Sequence, residues 1–426
     1  MSSRPGPPPP RQRRALSVVR GGGRVERGGD RALAEGLAEA LRAPDRDPDA
    51  ARTFTHGFHT YPARMDPAMA RALLAGLGGR GAVLDPFCGS GTTLVEARAA
   101  GRASTGGDLN PLAVAIARSK TWTAPPARRR ALLETARAIA AEALEEGKAA
   151  RRAGHHPAPL RRAGKNPSAR DRTIGEWFAP HVRRELEQIA ALIDGEPDRE
   201  LREHLRVLLS SILYKVSRRA SDTDPRRVER NIARGNPARL FAARAELLAA
   251  GLDELAARPG PMPRVLCADA RRLEVPAGGF ELCVTSPPYA GTYDYADLHG
   301  LRMAFLGIDP GELERHEMGA RARFAGGPDR RARALGDYGR DLAAALAAVA
   351  RALAPGGRAA LVVGDSLAGR APVRADELVR RAVAAPLALV AWAGQERPAL
   401  GGAEKRAFAG GAPKREHILL LERTSG

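Results

Sequence analysis

The sequence predicts an α/β fold, a doubly wound, seven-stranded, mostly parallel sheet of the Rossmann-like type with a helical insertion. Strand and helix patterns alternate in both the early and the late part of the chain, and a glycine-rich turn follows the first central strand. Residues 120–262 contain amphipathic helices but no convincing strand. At 426 residues the chain exceeds a usual single domain, so a large insertion is expected.

The first two predicted regions are a tail and the first part of the sheet. Residues 1–50 predict a basic, Pro- and Gly-rich tail that does not pack, since they open on Pro7–Pro10 and contain Gly21–Gly23. Residues 51–119 predict the first part of the fold. Its elements are a helix over 54–79, a strand over 81–85, a helix through Glu96, a strand over 104–107 and a helix from Pro111.

The remaining chain predicts the insertion and the second part of the sheet. In residues 120–262 the apolar spacing predicts helices over 128–144, 183–193, 201–216 and 238–255. In residues 263–426 it predicts strands over 265–268, 282–285, 358–363, 387–391 and 417–421, and a helix over 341–354. The insertion, a candidate for target recognition, therefore separates the second predicted strand from the third.

The composition is that of a globular protein, with 44% hydrophobic and 27% charged residues. No apolar run approaches the roughly 20 residues that span a bilayer, and the N-terminus lacks a signal peptide's apolar stretch. These features predict a cytoplasmic protein with no membrane partner. Three cysteines cannot form a disulfide framework or a four-cysteine zinc site, and no metal is expected.

The basic charge favours a nucleic-acid partner. The net charge is +19, but only six of the 68 basic residues are lysine. Such an arginine bias is typical of a GC-rich coding sequence, so part of the excess is background. The rest requires a counter-ligand, and a polyanion such as nucleic acid is the simplest one.

The segment from Asp85 to Thr93 predicts a cofactor site. Gly89 and Gly91 allow a tight turn and close approach to a ligand, and a helix beginning at Thr92 offers free N–H groups. A dinucleotide-binding loop usually has a third glycine, where this chain has Thr92 or Thr93. The alternative, that these residues only form caps and turns, stays open.

Acidic residues end three successive predicted strands. Asp85 is placed to pair with a cationic amino group, and Asp108 is placed to bind both ribose hydroxyls. Asp269 is placed to accept a hydrogen bond from an adenine amino group. Together they favour a nucleoside that carries an amino acid, which describes S-adenosylmethionine.

The tetrapeptide Ser286-Pro287-Pro288-Tyr289 predicts a site for an exocyclic amino group. The nitrogen of such a group is a poor nucleophile until acceptors hold its hydrogens and direct its lone pair. The Ser286 hydroxyl and the Pro287 carbonyl are such acceptors, Pro288 stiffens the turn, and Tyr289 offers a ring on which an extruded base stacks. An ordinary strand-ending turn with a core tyrosine is the alternative. Tyr293 and Tyr295 are candidates for the same pocket or for packing.

At these residues the chain resembles the amino-group DNA methyltransferases, which make N4-methylcytosine or N6-methyladenine. Asp85–Thr92 is similar to the family's cofactor motif and Ser286–Tyr289 to its catalytic tetrapeptide, while the segment from His59 to Arg64 resembles the part that closes over the methionine moiety. The resemblance implies S-adenosylmethionine as cofactor. It also implies cofactor contacts from Tyr61, Phe87 and Asn110.

The resemblance also implies partners and a target base. Double-stranded DNA is the implied substrate, and a cognate restriction enzyme is a candidate partner; the oligomeric state is open. Serine at the first catalytic position favours cytosine N4 over adenine N6. The polar cluster after the helix over 201–216 is the candidate DNA-binding surface, through Arg218, Arg219, Arg226, Arg227 and Arg230.

Other functions fit the same motifs less well. A C5-cytosine methyltransferase requires a Pro-Cys nucleophile, and the chain has no Pro-Cys dipeptide. An RNA guanine-N2 or protein-glutamine methyltransferase shares the Pro-Pro-Tyr chemistry and stays open. A non-catalytic nucleic-acid-binding protein on a methyltransferase fold is the alternative from a different class.

Overall fold

The computed structural model describes residues 22–152, 174–224, 226–258 and 260–424, with side chains except those of 148–152. Its centre is one eight-stranded sheet. The strands are β1 (Val25–Gly29), β2 (Val83–Asp85), β3 (Ser104–Asp108), β4 (Arg264–Cys267), β5 (Phe280–Thr285), β6 (Leu353–Gly364), β9 (Leu387–Glu396) and β10 (Arg415–Arg423). A separate hairpin consists of β7 (Ser366–Ala368) and β8 (Ala371–Val373).

Helices connect and cover these strands. In chain order they are α1 (Arg31–Arg46), α2 (Pro67–Gly76), α3 (Thr92–Ala99), α4 (Pro111–Lys120), α5 (Pro126–Arg152), α6 (174–177), α7 (Pro180–Asp194), α8 (Arg199–Val216), α9 (Asn236–Ala256), α10 (Tyr295–Leu306), α11 (Gly311–His316), α12 (Pro328–Ala352), α13 (Ala375–Ala382) and α14 (Gly402–Phe408). Short 3-10 turns lie at Ala50–Arg52, Ala270–Arg272 and Arg321–Phe324.

The sheet order is β1-β9-β10-β6-β5-β2-β3-β4. The five strands from β6 to β4 are parallel, whereas β10 runs antiparallel to both β6 and β9, and β1 runs antiparallel to β9. This topology confirms the predicted doubly wound, mostly parallel Rossmann-like sheet, with eight strands where seven were predicted because β1 adds an edge strand. The parallel order reverses between β2 and β5, which is where ligands bind in sheets of this type.

The prediction that residues 1–50 form a tail is wrong for the described part, residues 22–50. β1 pairs with β9, and α1 buries Leu37 and Leu41 completely against one face of the sheet. The charged residues of α1 lie on its outer face, which is why the composition resembles that of a tail. Residues 1–21 lie outside the described residues.

The predicted helix over 54–79 is shorter than expected, because only α2 is helical. Phe54 and Ala63 have positive φ angles of 48° and 53°, which interrupt a right-handed helix. The Asp66 carboxylate then accepts a hydrogen bond from the Ala68 N–H at 2.8 Å and starts α2. The segment before α2 is thereby free to curve over the sheet edge.

The helices predicted for the insertion are present as α5, α7, α8 and α9, and residues 153–173 lie outside the described residues. These helices share a hydrophobic core with the sheet's own helices: Ile116 of α4, Leu208 of α8 and Leu301 of α10 belong to one buried cluster. The insertion is therefore packed against the α/β fold.

Helix α10 is joined to the insertion by polar contacts as well. The Arg302 side chain, which is fully buried, donates to the Ser210 carbonyl at 3.3 Å and to the Thr60 hydroxyl at 3.1 Å. Asp222 lies 3.3 Å from the same guanidinium. Among the described residues no helix has the length and hydropathy needed to cross a membrane.

Candidate active site

Two cavities meet at the carboxyl ends of the parallel strands. The larger has a volume of about 760 Å³, and its wall includes Pro287 and Tyr289. The smaller, of about 90 Å³, lies over β2, β3 and β4. Six predicted cofactor residues line it: Tyr61, Phe87, Gly89, Asp108, Asn110 and Asp269. The sheet edge thus brings together residues that are far apart in sequence.

Asp108 ends β3 with its carboxylate held by two backbone groups. The Gly89 N–H donates to one oxygen at 2.9 Å, and the Asn110 N–H donates to the other at 2.8 Å. Burial nevertheless raises the pKa of Asp108 to about 6, because desolvation outweighs these hydrogen bonds. The carboxylate is fixed in the wall of the smaller cavity with acceptor capacity left for a ligand's hydroxyl groups.

Asp85, at the end of β2, does not line either cavity. It is 3% exposed, and its carboxylate accepts hydrogen bonds from the Thr285 hydroxyl at 2.6 Å and the Phe87 N–H at 3.2 Å. Desolvation raises the pKa of Asp85 to about 6 against these hydrogen bonds. In this structure Asp85 joins β2 to β5 and stiffens the loop that follows.

Gly91 and Thr92 also lie behind the cavity walls. Gly91 has a φ of 80°, and a Cβ there would lie 2.9 Å from the Cβ of Ala117 in α4. Glycine is therefore required for the packing of the turn against α4. Thr92 starts α3 and is 4% exposed, and its hydroxyl has no hydrogen-bond partner among the described residues.

Asp269 lines the smaller cavity, but its carboxylate is already paired with the guanidinium of Arg271. Arg271 binds both of its oxygens, at 2.9 and 2.7 Å, and also lies 2.7 Å from Asp341. Although desolvation opposes it, the Arg271 hydrogen bond leaves the pKa of Asp269 lowered. The Arg271 side chain itself narrows the cavity, and about 90 Å³ is less than a pocket that encloses a whole cofactor. Binding therefore requires wall side chains to move.

The tetrapeptide Ser286–Tyr289 lies at the end of β5, between the two cavities. Ser286 lines both of them, and its hydroxyl lies 3.4 Å from the Tyr289 hydroxyl. The Pro288 carbonyl accepts a hydrogen bond from Tyr338 at 2.9 Å, whereas the Pro287 carbonyl has no donor among the described residues. The turn thus presents one hydroxyl and one open carbonyl to a ligand.

The Tyr289 ring packs directly against Gly364. A Cβ at Gly364, the last residue of β6, would lie 2.6 Å from Cε2 of the Tyr289 ring. Only glycine leaves room for the ring in this position. Burial raises the pKa of Tyr289 far above its ordinary value, so the hydroxyl stays protonated and can donate.

Three residues line both cavities and so form the junction between them: Ala63, Ser286 and Tyr295. Tyr295 begins α10, and the Glu317 carboxylate accepts a hydrogen bond from its N–H at 2.5 Å. Desolvation raises the pKa of Glu317 to about 7. Tyr293 lines the larger cavity, so both tyrosines after the tetrapeptide reach a cavity wall.

The predicted DNA-binding arginines lie on one turn after α8, where Arg219 forms a β-bridge with Arg227, and none of them lines either cavity. Arg226 and Arg227 are exposed, Arg218 is half-buried, and Arg226 is paired with Asp224 at 2.6 Å. Arg219 and Arg230 are held by protein groups in this structure, which gives no support to the prediction that they contact DNA. Arg219 is 3% exposed beneath the turn, with its guanidinium 5.2 Å from the centre of the Tyr214 ring.

Arg230 has a structural role instead. Its guanidinium donates to four backbone carbonyls, those of Tyr214, Lys215, Arg219 and Ala220, at 2.7 to 3.2 Å. Two of these carbonyls end α8, where a cation is favourable. Arg230 therefore holds the turn after α8 in place.

Several wall residues had no distinct signal in the sequence. Glu317 and Gly364 are separated from the motifs along the chain, and nothing in their local pattern marks them. A glycine at the end of a strand can serve many purposes. Their roles depend on which strands are neighbours in the sheet.

Comparison with known proteins identifies the first part of the fold. Residues 46–119 match the family model described as DNA methylase, of the N6 and N4 type. The chain is also 37% identical over 82 residues to the type II methyltransferase M.MvaI of Kocuria varians. The resemblance to the amino-group DNA methyltransferases is confirmed. The match to M.MvaI spans 18% of this chain and 18% of that protein.

Two solved structures show weaker similarity to this chain. TrmN from Thermus thermophilus is 16% identical with a TM-score of 0.32, and the alignment covers 89% of this chain and 53% of that one. The rRNA methyltransferase aviRa from Streptomyces viridochromogenes is 14% identical with a TM-score of 0.33, with coverage of 88% and 92%. Likeness at this level has no bearing on function.

S-adenosylmethionine is the methyl donor that the methylase match implies, and the donor set of the smaller cavity fits it. Asp108 offers carboxylate oxygens suited to ribose hydroxyls, and Tyr61 and Phe87 offer aromatic faces. Asn110 lies in the same wall, and its side-chain oxygen is fixed by a hydrogen bond from the Leu112 N–H at 2.9 Å.

Proposed function

We propose that this chain transfers a methyl group from S-adenosylmethionine to an exocyclic amino group in double-stranded DNA. The proposal depends on the position of Ser286, which lines both the smaller and the larger cavity. A group in that position can contact the amino nitrogen while the nitrogen faces the methyl donor. The methylase match of residues 46–119 supports the same reaction.

The larger cavity is suited to an extruded base. Its volume of about 760 Å³ falls within the range of small-molecule pockets, and Tyr289 supplies an aromatic face for stacking. Tyr338 holds the Pro288 carbonyl, and Gly364 leaves room for the Tyr289 ring. The tetrapeptide is therefore rigid before any ligand binds, which favours catalysis by preorganised groups.

The Ser286 hydroxyl and the Pro287 carbonyl act on the amino group. They accept hydrogen bonds from its two N–H groups. The nitrogen therefore becomes pyramidal, and its lone pair is directed at the junction between the two cavities. Bound S-adenosylmethionine supplies an electrophilic methyl group. The amino nitrogen would accept that methyl group, with the sulfur as leaving group, and would give up its surplus proton to water in the larger cavity, which Ser286 and Pro287 line. Asp108, Tyr61 and Phe87 hold the cofactor from the other side.

Cytosine N4 is the favoured target, with adenine N6 second. Serine at position 286, in place of the acid or amide more often present in the adenine enzymes of the resembling family, supports this order. A cognate restriction enzyme is a candidate partner, since M.MvaI is named as a type II methyltransferase. Double-stranded DNA is favoured over RNA by the DNA methylase match.

Product analysis tests the proposal. The protein is incubated with labelled S-adenosylmethionine and either PCR-amplified, unmethylated DNA or transcribed RNA, and the nucleic acid is digested to nucleosides for mass spectrometry. N4-methylcytosine from DNA is expected, and N6-methyladenine would change the base but keep the reaction. Methylation of RNA alone would overturn the DNA assignment. Absence of any methylated nucleoside, with cofactor bound by calorimetry, would favour a non-catalytic role.

A further inference from the structure

The walls of the larger cavity do not come from the insertion. In the part of the chain that the structure describes, no residue of 120–262 lines either cavity. A duplex whose base enters the larger cavity must therefore be held next to that base by other segments. The surface that surrounds the cavity mouth is where such contacts are made.

One such surface is the β9–β10 segment, defined as residues 397–414. It connects two adjacent antiparallel strands and contains α14. Six of its residues line the larger cavity, opposite Ser286 and Tyr289: Arg397, Pro398, Leu400, Gly401, Glu404 and Lys414. The segment thus faces the site that is proposed to receive the base.

The β9–β10 segment is basic, and two of its cations are available to a partner. It contains four cationic residues and one acid. Arg397 is paired with Glu416 at 2.7 Å, and Lys414 is paired with Glu404 at 2.7 Å. Lys405 and Arg406 are exposed, and their side chains form no ion pair within the described residues. Exposed, uncompensated cations of this kind bind phosphate groups.

The same segment exposes an apolar side chain at the cavity mouth. Leu400 is 45% exposed, and among the described residues the other exposed large apolar side chains are Leu247 and Met262. Leu247 and Met262 line neither cavity. An apolar side chain beside a base-flipping pocket can pack against the bases that the extruded one leaves behind.

We propose that the β9–β10 segment holds the DNA strand around the target base. Lys405 and Arg406 contact phosphates, and Leu400 packs against the bases next to the extruded one. The proposal rests on the proposed function for the identity of the base, but the place where the duplex binds can be measured without catalysis. Two experiments separate these points.

The first experiment measures binding of a fluorescein-labelled random-sequence duplex at several salt concentrations. Two phosphate contacts contribute about 1.8 to the slope of log affinity against log salt, so the Lys405→Ala/Arg406→Ala variant should lose about that amount. The matched control is Arg80→Ala/Arg351→Ala. These two arginines are exposed and precede β2 and β6, so they lie at the opposite edge of the sheet.

An unchanged slope in Lys405→Ala/Arg406→Ala, or an equal loss in the control, would overturn the proposal. Both variants change surface side chains, and calorimetry with S-adenosylmethionine shows that each still folds. The slope is informative even if the wild-type protein methylates no DNA, in which case the proposed function fails and the binding surface stands.

The second experiment measures methyl transfer to long PCR-amplified DNA, which presents many sequence contexts. Leu400→Ala should reduce kcat/KM for DNA about tenfold, the order expected for one lost contact with a base. Leu247→Ala removes a leucine with 51% exposure that lines neither cavity, and it should leave kcat/KM unchanged. Equal activity of Leu400→Ala and Leu247→Ala would remove Leu400 from the interface.

Discussion

The affinity for S-adenosylmethionine should decrease about tenfold between pH 7 and pH 5. Asp108 accepts hydrogen bonds from the ribose hydroxyls best as a carboxylate, and burial raises its pKa to about 6. At pH 5 only about a tenth of Asp108 is ionised, and one pKa unit corresponds to about 1.4 kcal/mol of binding free energy. The cofactor's own amino group stays protonated throughout, since an α-amino group titrates near pH 8.

Isothermal titration calorimetry with the wild-type protein and Asp108→Asn measures this dependence. The asparagine side chain has one acceptor oxygen where Asp108 has two, and both oxygens of Asp108 already accept a backbone N–H. In Asp108→Asn the binding free energy at pH 7 should weaken by about 1.5–3 kcal/mol, and the pH dependence that arises from Asp108 should disappear. Asp269→Asn is the matched control, because Asp269 lines the same cavity and its pKa is lowered. This variant should retain the decrease in affinity between pH 7 and pH 5.

Other titratable groups face the same cavity, and the asparagine variant separates them. Glu317, whose pKa is raised to about 7, and His316 both line it. Any change in affinity that arises from these two residues would persist in Asp108→Asn. The reasoning is refuted if the wild-type affinity is flat from pH 7 to pH 5, or if Asp108→Asn retains the full tenfold change.

Three further variants test the catalytic turn and the insertion. Ser286→Ala should lower kcat about a hundredfold in a methyl-transfer assay while calorimetry shows unchanged cofactor affinity, because one preorganised acceptor is lost; a normal kcat would remove Ser286 from catalysis. Gly364→Ala should displace the Tyr289 ring and lower stability by about 1–3 kcal/mol in thermal unfolding, whereas Gly339→Ala in α12, with open space around it, should not destabilise the chain. Equal melting temperatures for the two would contradict the contact. Arg230→Ala should lower stability by about 1.5–3 kcal/mol, and Arg227→Ala should not, since Arg230 donates to four carbonyls of the turn and of the end of α8; DNA affinity measured well below the unfolding temperature of the variant should then show no direct contribution from Arg230.

The sequence was sufficient to predict the sheet but not its edge. Alternating apolar segments place β2 to β6, because buried parallel strands have a strong pattern. The pattern of β1 is masked by glycine and charge, and within the described sheet it pairs with β9 alone, so pairing rather than composition determines that strand. The tail prediction was wrong for that reason.

The candidate site was predictable where a motif is local. The cavities are reached by Phe87 and Gly89 after β2, by Asp108 at the end of β3 and by the tetrapeptide after β5, because the sheet fixes the ends of these strands. The orientation of Asp85 was not predictable, since it depends on the Thr285 hydroxyl of the neighbouring strand. Arg230 is similar, because its partners are carbonyls that only the folded turn brings together.

Arg302 has a consequence for how the molecule responds to a bound partner. This buried guanidinium contacts the insertion through Ser210 and the segment before α2 through Thr60, and it lies on the helix that Tyr295 begins. A buried cation cannot lose a partner without a large cost, so these three parts must move together. The insertion and the junction between the two cavities are therefore coupled through α10. We therefore expect a displacement of the insertion to shift Tyr295 at the junction, because Arg302 and Tyr295 lie on the same helix.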